Sequence, residues 1–137
     1  MTPKLEKNTA PGHPGAATLM IVDDDDEIRK ILEKGCTQAG YRVLLADNGL
    51  RLVSTLRSEK VDVVLLDINM PWVSGVEVGK AIKRDPGLKQ IKVVYVTGVY
   101  EREAECLETG CDGFIRKPFS IRLVLETIET LLGPPNP

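Results

Sequence analysis

The chain has 137 residues, 42% of them apolar, and a formal net charge of −2, which suits one domain with a single core. No Lys/Arg cluster stands out, which argues against nucleic acid or an anionic membrane as the main partner. No apolar run approaches the ~20 residues that span a bilayer, and residues 1–17 hold no apolar stretch of signal-peptide length, so the expected location is the cytoplasm.

Residues 1–16 carry three prolines and two glycines without any hydrophobic period, and they read as a flexible leader. The single histidine, His13, lies in that leader, so the core has no Ser-His-Asp or Cys-His site and no multi-histidine zinc site. "TLMIV" (18–22) is a continuous apolar run of strand length. It leads into "DDDDE" (23–27) and then a helix on which Ile28, Ile31, Leu32, Cys36 and Ala39 recur at helical spacing before Gly40. "YRVLLA" (41–46) is a second strand, and Asn48 can cap a helix carrying Leu52, Val53 and Leu56. "VDVVLL" (61–66) is a third strand, followed by a helix with Val76, Gly79 and Ile82 that ends before "DPG" (85–87). "IKVVYV" (91–96) is the fourth, followed by a short polar helix with Ala104 and Leu107 facing one way and a stop at Gly110. "DGFIR" (112–116) is the fifth. Ser120 can cap a last helix with Val124, Leu125, Ile128, Leu131 and Leu132 in one stripe. The three cysteines, Cys36, Cys106 and Cys111, lack a metal-ligand spacing and read as reduced structural thiols.

Five β-α units follow from this pattern. Strands one, three and four are apolar on both faces, which predicts an α/β fold with a doubly wound parallel sheet covered by helices on each side. In such folds the site lies at the carboxyl ends of the strands, where strand order reverses. The residues found there are Asp23 and Asp24 after strand one, Asp67 and Asn69 after strand three, Thr97 and Gly98 after strand four, and Lys117 and Pro118 after strand five. If those strands are neighbours, three carboxylates and one lysine share a pocket. Two like charges ~4 Å apart repel by ~4 kcal/mol at an effective dielectric near 20. The net −2 of such a pocket is cancelled by one divalent ion, and oxygen-only ligands suit Mg²⁺ or Mn²⁺. Asp23 and Asp24 are expected to face the ion. Asp25, Asp26 and Glu27 favour the positive end of the helix that follows. Gly98 leaves room beside Thr97, and Pro71 and Gly75 allow a tight turn after Asn69.

The motifs "VDDD", "LLDINMPWVSG", "VVYVTG" and "GFIRKPF", in this order and spacing, resemble the receiver domain of two-component response regulators over residues 17–133. The resemblance implies a flavodoxin-like five-stranded sheet of order 2-1-3-4-5. It implies that Asp67 accepts a phosphoryl group from a histidine kinase or phosphotransfer protein in a Mg-dependent reaction, the chain catalysing only its own phosphorylation and dephosphorylation. It further implies that Asp23, Asp24, Asp67 and the backbone carbonyl of Asn69 hold the metal, that Thr97, Gly98 and Lys117 contact phosphoryl oxygens, and that Pro118 is cis. Thr97 and Phe114 match a switch pair in which the aromatic ring turns inward as the hydroxyl moves toward the phosphoryl group. The output face would be the fourth helix, fifth strand and fifth helix. Here the fourth helix carries Glu101, Glu103, Glu105 and Glu108 against Arg102, and the last helix has Arg122 as its one basic residue. That predicts an acidic, polar face that docks an output protein rather than building a DNA-binding dimer. Residues 134–137 are expected to be a tail or the start of a linker to an effector domain.

Rival chemistries fit poorly. A haloacid-dehalogenase-type phosphohydrolase also forms an aspartyl phosphate, but it needs a D-x-D-x-T/V nucleophile motif and acidic ligands after its lysine. No acidic pair follows Lys117, and the acidic pair precedes Asp67. An EF-hand starting at Asp23 would need Gly where Ile28 stands and Glu where Lys34 stands. No Walker A motif occurs. A pure interaction module that has lost phosphorylation is disfavoured because every matched site residue is present.

Overall fold

The protein is described here from a computed structural model, which covers residues 6–7, 16–48, 51–70 and 73–133. Five strands form the parallel sheet: β1 (Thr18–Val22), β2 (Arg42–Ala46), β3 (Val63–Leu66), β4 (Lys92–Thr97) and β5 (Gly113–Arg116). Their spatial order is β2-β1-β3-β4-β5, all neighbours parallel, as the resemblance implied. Five helices connect and follow them: α1 (Asp26–Gln38), α2 (Leu52–Ser58), α3 (Gly75–Arg84), α4 (Glu103–Glu108) and α5 (Ile121–Leu132), with a 3-10 turn at Tyr100–Arg102 before α4.

The side-chain alternation of the strands divides the core into two layers. Met20, Val22, Leu44, Val64, Leu66, Val93 and Tyr95 face one way and meet Leu52 and Leu56 of α2, Val76 and Ile82 of α3, and Cys106 of α4. Leu19, Ile21, Val43, Val63, Leu65, Val94, Val96 and Ile115 face the other way and meet Leu32 and Cys36 of α1 and Val124 and Ile128 of α5. Full burial of one such aliphatic side chain contributes roughly 1.5–3 kcal/mol, so a strand apolar on both faces is stable only in this covered position. The helices begin where capping chemistry allows. Asp25 accepts from the N–H groups of Glu27 and Ile28, Ser74 from that of Val76, and Ser120 from that of Leu123. Asp26 and Glu27 occupy the first turn of α1, at its positive end.

Several expectations need correction. Helix α2 starts at Leu52 with Arg51 at its N-cap and no side-chain cap, so Asn48 is not the capping residue. The Asn48 amide donates to the neighbouring Asp47 carboxylate. Ile31 is not on the buried stripe of α1; it is 47% exposed, because Leu32 and Cys36 define the inward face. On α4 the inward side chain is Cys106, with Thr109 just beyond the helix. Ala104 and Leu107 face outward. The acidic character of α4 is also less than expected. Arg116 of β5 pairs with Glu103 at 2.7 Å, Arg102 pairs with Glu105 at 2.7 Å, and exposed Leu107 and Leu123 add apolar surface to this side. Within the leader, Glu6–Lys7 forms a two-residue strand antiparallel to β2, opposite Leu45 and Leu44. Pro71, His13 and residues 134–137 lie outside the described residues.

All three cysteines are free thiols, and burial pushes Cys36 up to about 12 and Cys106 up to about 11, which keeps them protonated and inert. No helix among the described residues is long and apolar enough to cross a membrane.

Candidate functional site

Strand order reverses between β2-β1 and β1-β3, so the crevice expected of a doubly wound sheet opens at the carboxyl ends of β1 and β3. Three side chains arrive there by the same device. Asp23, Asp67 and Lys117 each stand one residue past a strand, and each is held in register by its own backbone N–H. Asp23 donates to Ala46 O at 3.3 Å, Asp67 to Val22 O at 3.0 Å and Lys117 to Thr97 O at 2.9 Å. Thr97 is the last residue of β4 rather than the first beyond it, and it is buried. Position, and not loop flexibility, therefore sets the spacing of these groups.

Asp23, Asp24 and Asp67 each offer a carboxylate oxygen within 4.8 Å of the others. Asp23 and Asp67 are buried and Asp24 is exposed at the mouth. Lys117 Nζ lies 2.8 Å from Asp23 Oδ2 and 3.5 Å from Asp67 Oδ2. The other Asp23 oxygen accepts from Asp25 N–H at 2.9 Å, which folds the start of the acidic run over the site. Burial raises the Asp67 pKa above the usual carboxylate range. Lys117 works against that rise, the Asp23 charge adds to it, and the backbone N–H groups of Asn69 and Ile68 oppose it. Burial would lower the Lys117 pKa, but its bonds and charge contacts with Asp23 and Asp67 outweigh this and raise it, so Lys117 stays a cation. Three carboxylates and one ammonium in an all-oxygen donor set fit a hard divalent ion.

The remaining predicted residues stand around this cluster. Asn69 is exposed at the start of the loop after Asp67, paired as an isolated bridge with Ser74. Gly98 is exposed, and a Cβ there would meet Lys117 Cβ at 3.9 Å, an ordinary contact. The Lys117–Pro118 bond is cis. Phe114 is half-buried and pairs in register with Tyr95, while Thr97 pairs with Arg116. Thr97 and Phe114 thus share one face of the sheet as diagonal neighbours, not directly opposite each other.

Sequence reasoning gave one contributor, Gly75, a different role and did not identify two others, Arg29 and Tyr100. Gly75 matters less for turning than for proximity. Its N–H donates to Ile68 O at 2.8 Å, and a Cβ would overlap the Asp67 carbonyl oxygen and sit 2.8 Å from its carbon. Arg29 donates to the Asp23 carbonyl at 2.6 Å and pairs with Asp26, so it ties α1 to the acidic run. Tyr100 donates its hydroxyl to the Lys117 carbonyl.

Comparison with known proteins agrees with this geometry. The family model described as "Response regulator receiver domain" matches residues 19–129. The chain is 35% identical over 118 residues to the polar-differentiation response regulator DivK of Brucella anthropi, covering 85% of this chain and 96% of that protein. Among solved structures, the chemotaxis response regulator CheY4 of Vibrio cholerae is 28% identical with a TM-score of 0.79, covering 85% of this chain and 99% of that one. A CheY-like response regulator receiver domain protein from Methanospirillum hungatei is 32% identical with a TM-score of 0.76, covering 85% and 94%. With the acidic cluster at the strand ends and the family match across most of its length, the chain belongs to the response regulator receiver domain family and is a phosphorelay receiver, a signalling module and not an enzyme with a separate substrate.

Proposed function

We propose that Asp67 is the phosphoacceptor, receiving its phosphoryl group from a histidine kinase or phosphotransfer protein in the cytoplasm. The observation that carries this reading is the convergence of the buried Asp67 carboxylate with Asp23, Asp24 and Lys117 at the strand-order reversal. An Asp67 oxygen attacks phosphorus, and the bond from phosphorus to the donor's nitrogen or oxygen breaks with its electron pair staying on the donor. Asp23, Asp24, Asp67 and the Asn69 carbonyl would hold Mg²⁺ or Mn²⁺. Such an ion supplies charge neutralisation and draws nucleophile and phosphoryl oxygen together. Lys117, kept cationic by its neighbours, faces the negative charge that moves onto the transferring group. The Thr97 hydroxyl and the Gly98 backbone complete the phosphoryl-contacting set, beside the cis bond at Pro118. The functional unit is residues 17–133, with the leader before it and residues 134–137 as tail or linker. Its output acts through α4, β5 and α5 on a protein partner and not on nucleic acid or membrane.

The test is phosphorylation by acetyl phosphate with Mg²⁺, read by mass. The wild type should gain one phosphoryl group, and Asp67→Asn should gain none. In the same samples Mg²⁺ should raise the melting temperature of the wild type. Asp24→Ala should abolish most of that rise, and Asp23→Asn should reduce it less. Labelling of Asp67→Asn at the wild-type rate, or an undiminished Mg²⁺ effect in Asp24→Ala, contradicts the assignment.

A further inference from the structure

The backbone of Lys117 is held on both sides, by the last residue of β4 and by the segment that follows it. Its N–H donates to the carbonyl of Thr97 at 2.9 Å, and its carbonyl accepts the hydroxyl of Tyr100. Tyr100 is itself held. The guanidinium of Arg116 lies over its ring, 5.2 Å from the centroid, and Arg116 is bonded through both Nε and Nη2 to Glu103 Oε1, at 3.2 and 2.7 Å. The Thr97 hydroxyl accepts from Val99 N–H in the same segment at 3.2 Å. A closed circuit therefore runs from Thr97 through the 3-10 turn to Tyr100, across to Lys117, and back through the strand pairing of Arg116 with Thr97. The ammonium at the end of this circuit spans 2.8 Å to Asp23 and 3.5 Å to Asp67, distances sensitive to a small shift of its backbone.

Resting on the assignment of Asp67 and Lys117 above, we propose that Tyr100 is a positioning residue for Lys117, its hydroxyl fixing the peptide from which the ammonium reaches the reacting carboxylate. Loss of the hydroxyl leaves the Lys117 carbonyl to water and frees the strand end to move away from β4. Arg116 and Glu103 serve the same purpose one step removed, by fixing the ring. Tyr100 does not touch the reacting atoms; its effect passes through Lys117.

The discriminating experiment is a double-mutant cycle on the phosphorylation rate with acetyl phosphate at saturating Mg²⁺, comparing wild type, Tyr100→Phe, Lys117→Ala and the double variant. Phe keeps the ring under Arg116 and removes the hydroxyl alone. Because displacements of about 1 Å can cost on the order of 100-fold, a partial shift should lower the maximal rate of Tyr100→Phe by roughly 3- to 10-fold. In the Lys117→Ala background the same change should have no further effect, which a merely structural role for Tyr100 cannot produce. Arg116→Gln, which removes the charge over the ring, should show a smaller loss with the same dependence on Lys117. Melting temperatures with and without Mg²⁺ are recorded for each variant, so that unfolding is distinguished from loss of rate. Equal losses in both backgrounds, or a wild-type rate in Tyr100→Phe, overturn the inference while leaving Asp67 as phosphoacceptor. Absence of label on the wild type overturns both.

Discussion

A carboxylate with 6% of its residue surface exposed has given up most of its water, and Asp67 regains only part of that loss through Lys117 and the N–H groups of Ile68 and Asn69. Its folded pKa stands above the ordinary aspartate value, so the fold favours the protonated form. The stability it contributes is present below the unfolded pKa and is lost as pH rises through the folded pKa. In metal-free buffer Asp67→Asn is therefore expected to melt higher than the wild type near about pH 7, with the difference closing as pH falls below about 4 and the carboxyl becomes protonated in the folded and unfolded states alike. Lys117 keeps its bond to Asp23 in that variant, which prevents an orphaned cation from cancelling the gain. Thermal melts in chelator across that range check this; a wild type more stable than the Asn variant at neutral pH would show that Lys117 pairing outweighs desolvation. The raised Lys117 pKa acts in the other range. Its contribution holds throughout neutral pH and is lost only above the ordinary lysine range.

At the level of elements, the loop from Asp67 to α3 is closed by backbone against backbone. Gly75→Ala is expected to cost about 1–3 kcal/mol or more, because the added Cβ meets the rigid Asp67 carbonyl, whereas Gly98→Ala should stay within about 0.5 kcal/mol. Urea denaturation of both variants decides this, and equal midpoints would refute the close approach. The contrast also marks what the sequence could reveal. The placement of Asp23, Asp24, Asp67 and Thr97 was legible because strands apolar on both faces announce their ends, that of Lys117 because a fifth strand completes the alternation, and a doubly wound sheet brings those ends to one edge. Helix starts with Asp25, Ser74 and Ser120 were legible because capping is local chemistry. The α2 start was misplaced because Arg51 caps it without a side-chain bond. The facing of α4 was misread because six residues are too few to fix a helical period. Tyr100 and Arg116 were silent because their partners, Lys117 and Glu103, lie 17 and 13 residues away. Such pairs exist only once the sheet has formed.

For the whole molecule, Thr97 and Phe114 stand diagonally on the sheet face that carries α4, the placement that the proposed switch requires. Beryllofluoride with Mg²⁺ is expected to shift the NMR signals of Thr97 and Phe114 together, and Thr97→Ala should remove the Phe114 shift. Retention of the Phe114 shift in that variant would separate the two residues. The same activated sample should sediment as a monomer at low and moderate salt. Glu101 and Glu108 on two copies oppose a symmetric contact, while Glu103 and Glu105 are already committed to Arg116 and Arg102.

Helix α4 joins this face to the core through one fully buried side chain, Cys106, whereas α3 buries Val76, Val78 and Ile82 and α5 buries Val124 and Ile128. It has six residues and no side-chain cap at its start. Local opening costs least where few apolar contacts must be given up. The backbone amides of Cys106–Glu108 are therefore the ones set to exchange with solvent deuterium through openings far smaller than global unfolding, while those of β1, β3 and β4 wait for the whole sheet to part. Of these three helices, the one that gives way most readily lies in the stretch of chain between Thr97 and Lys117.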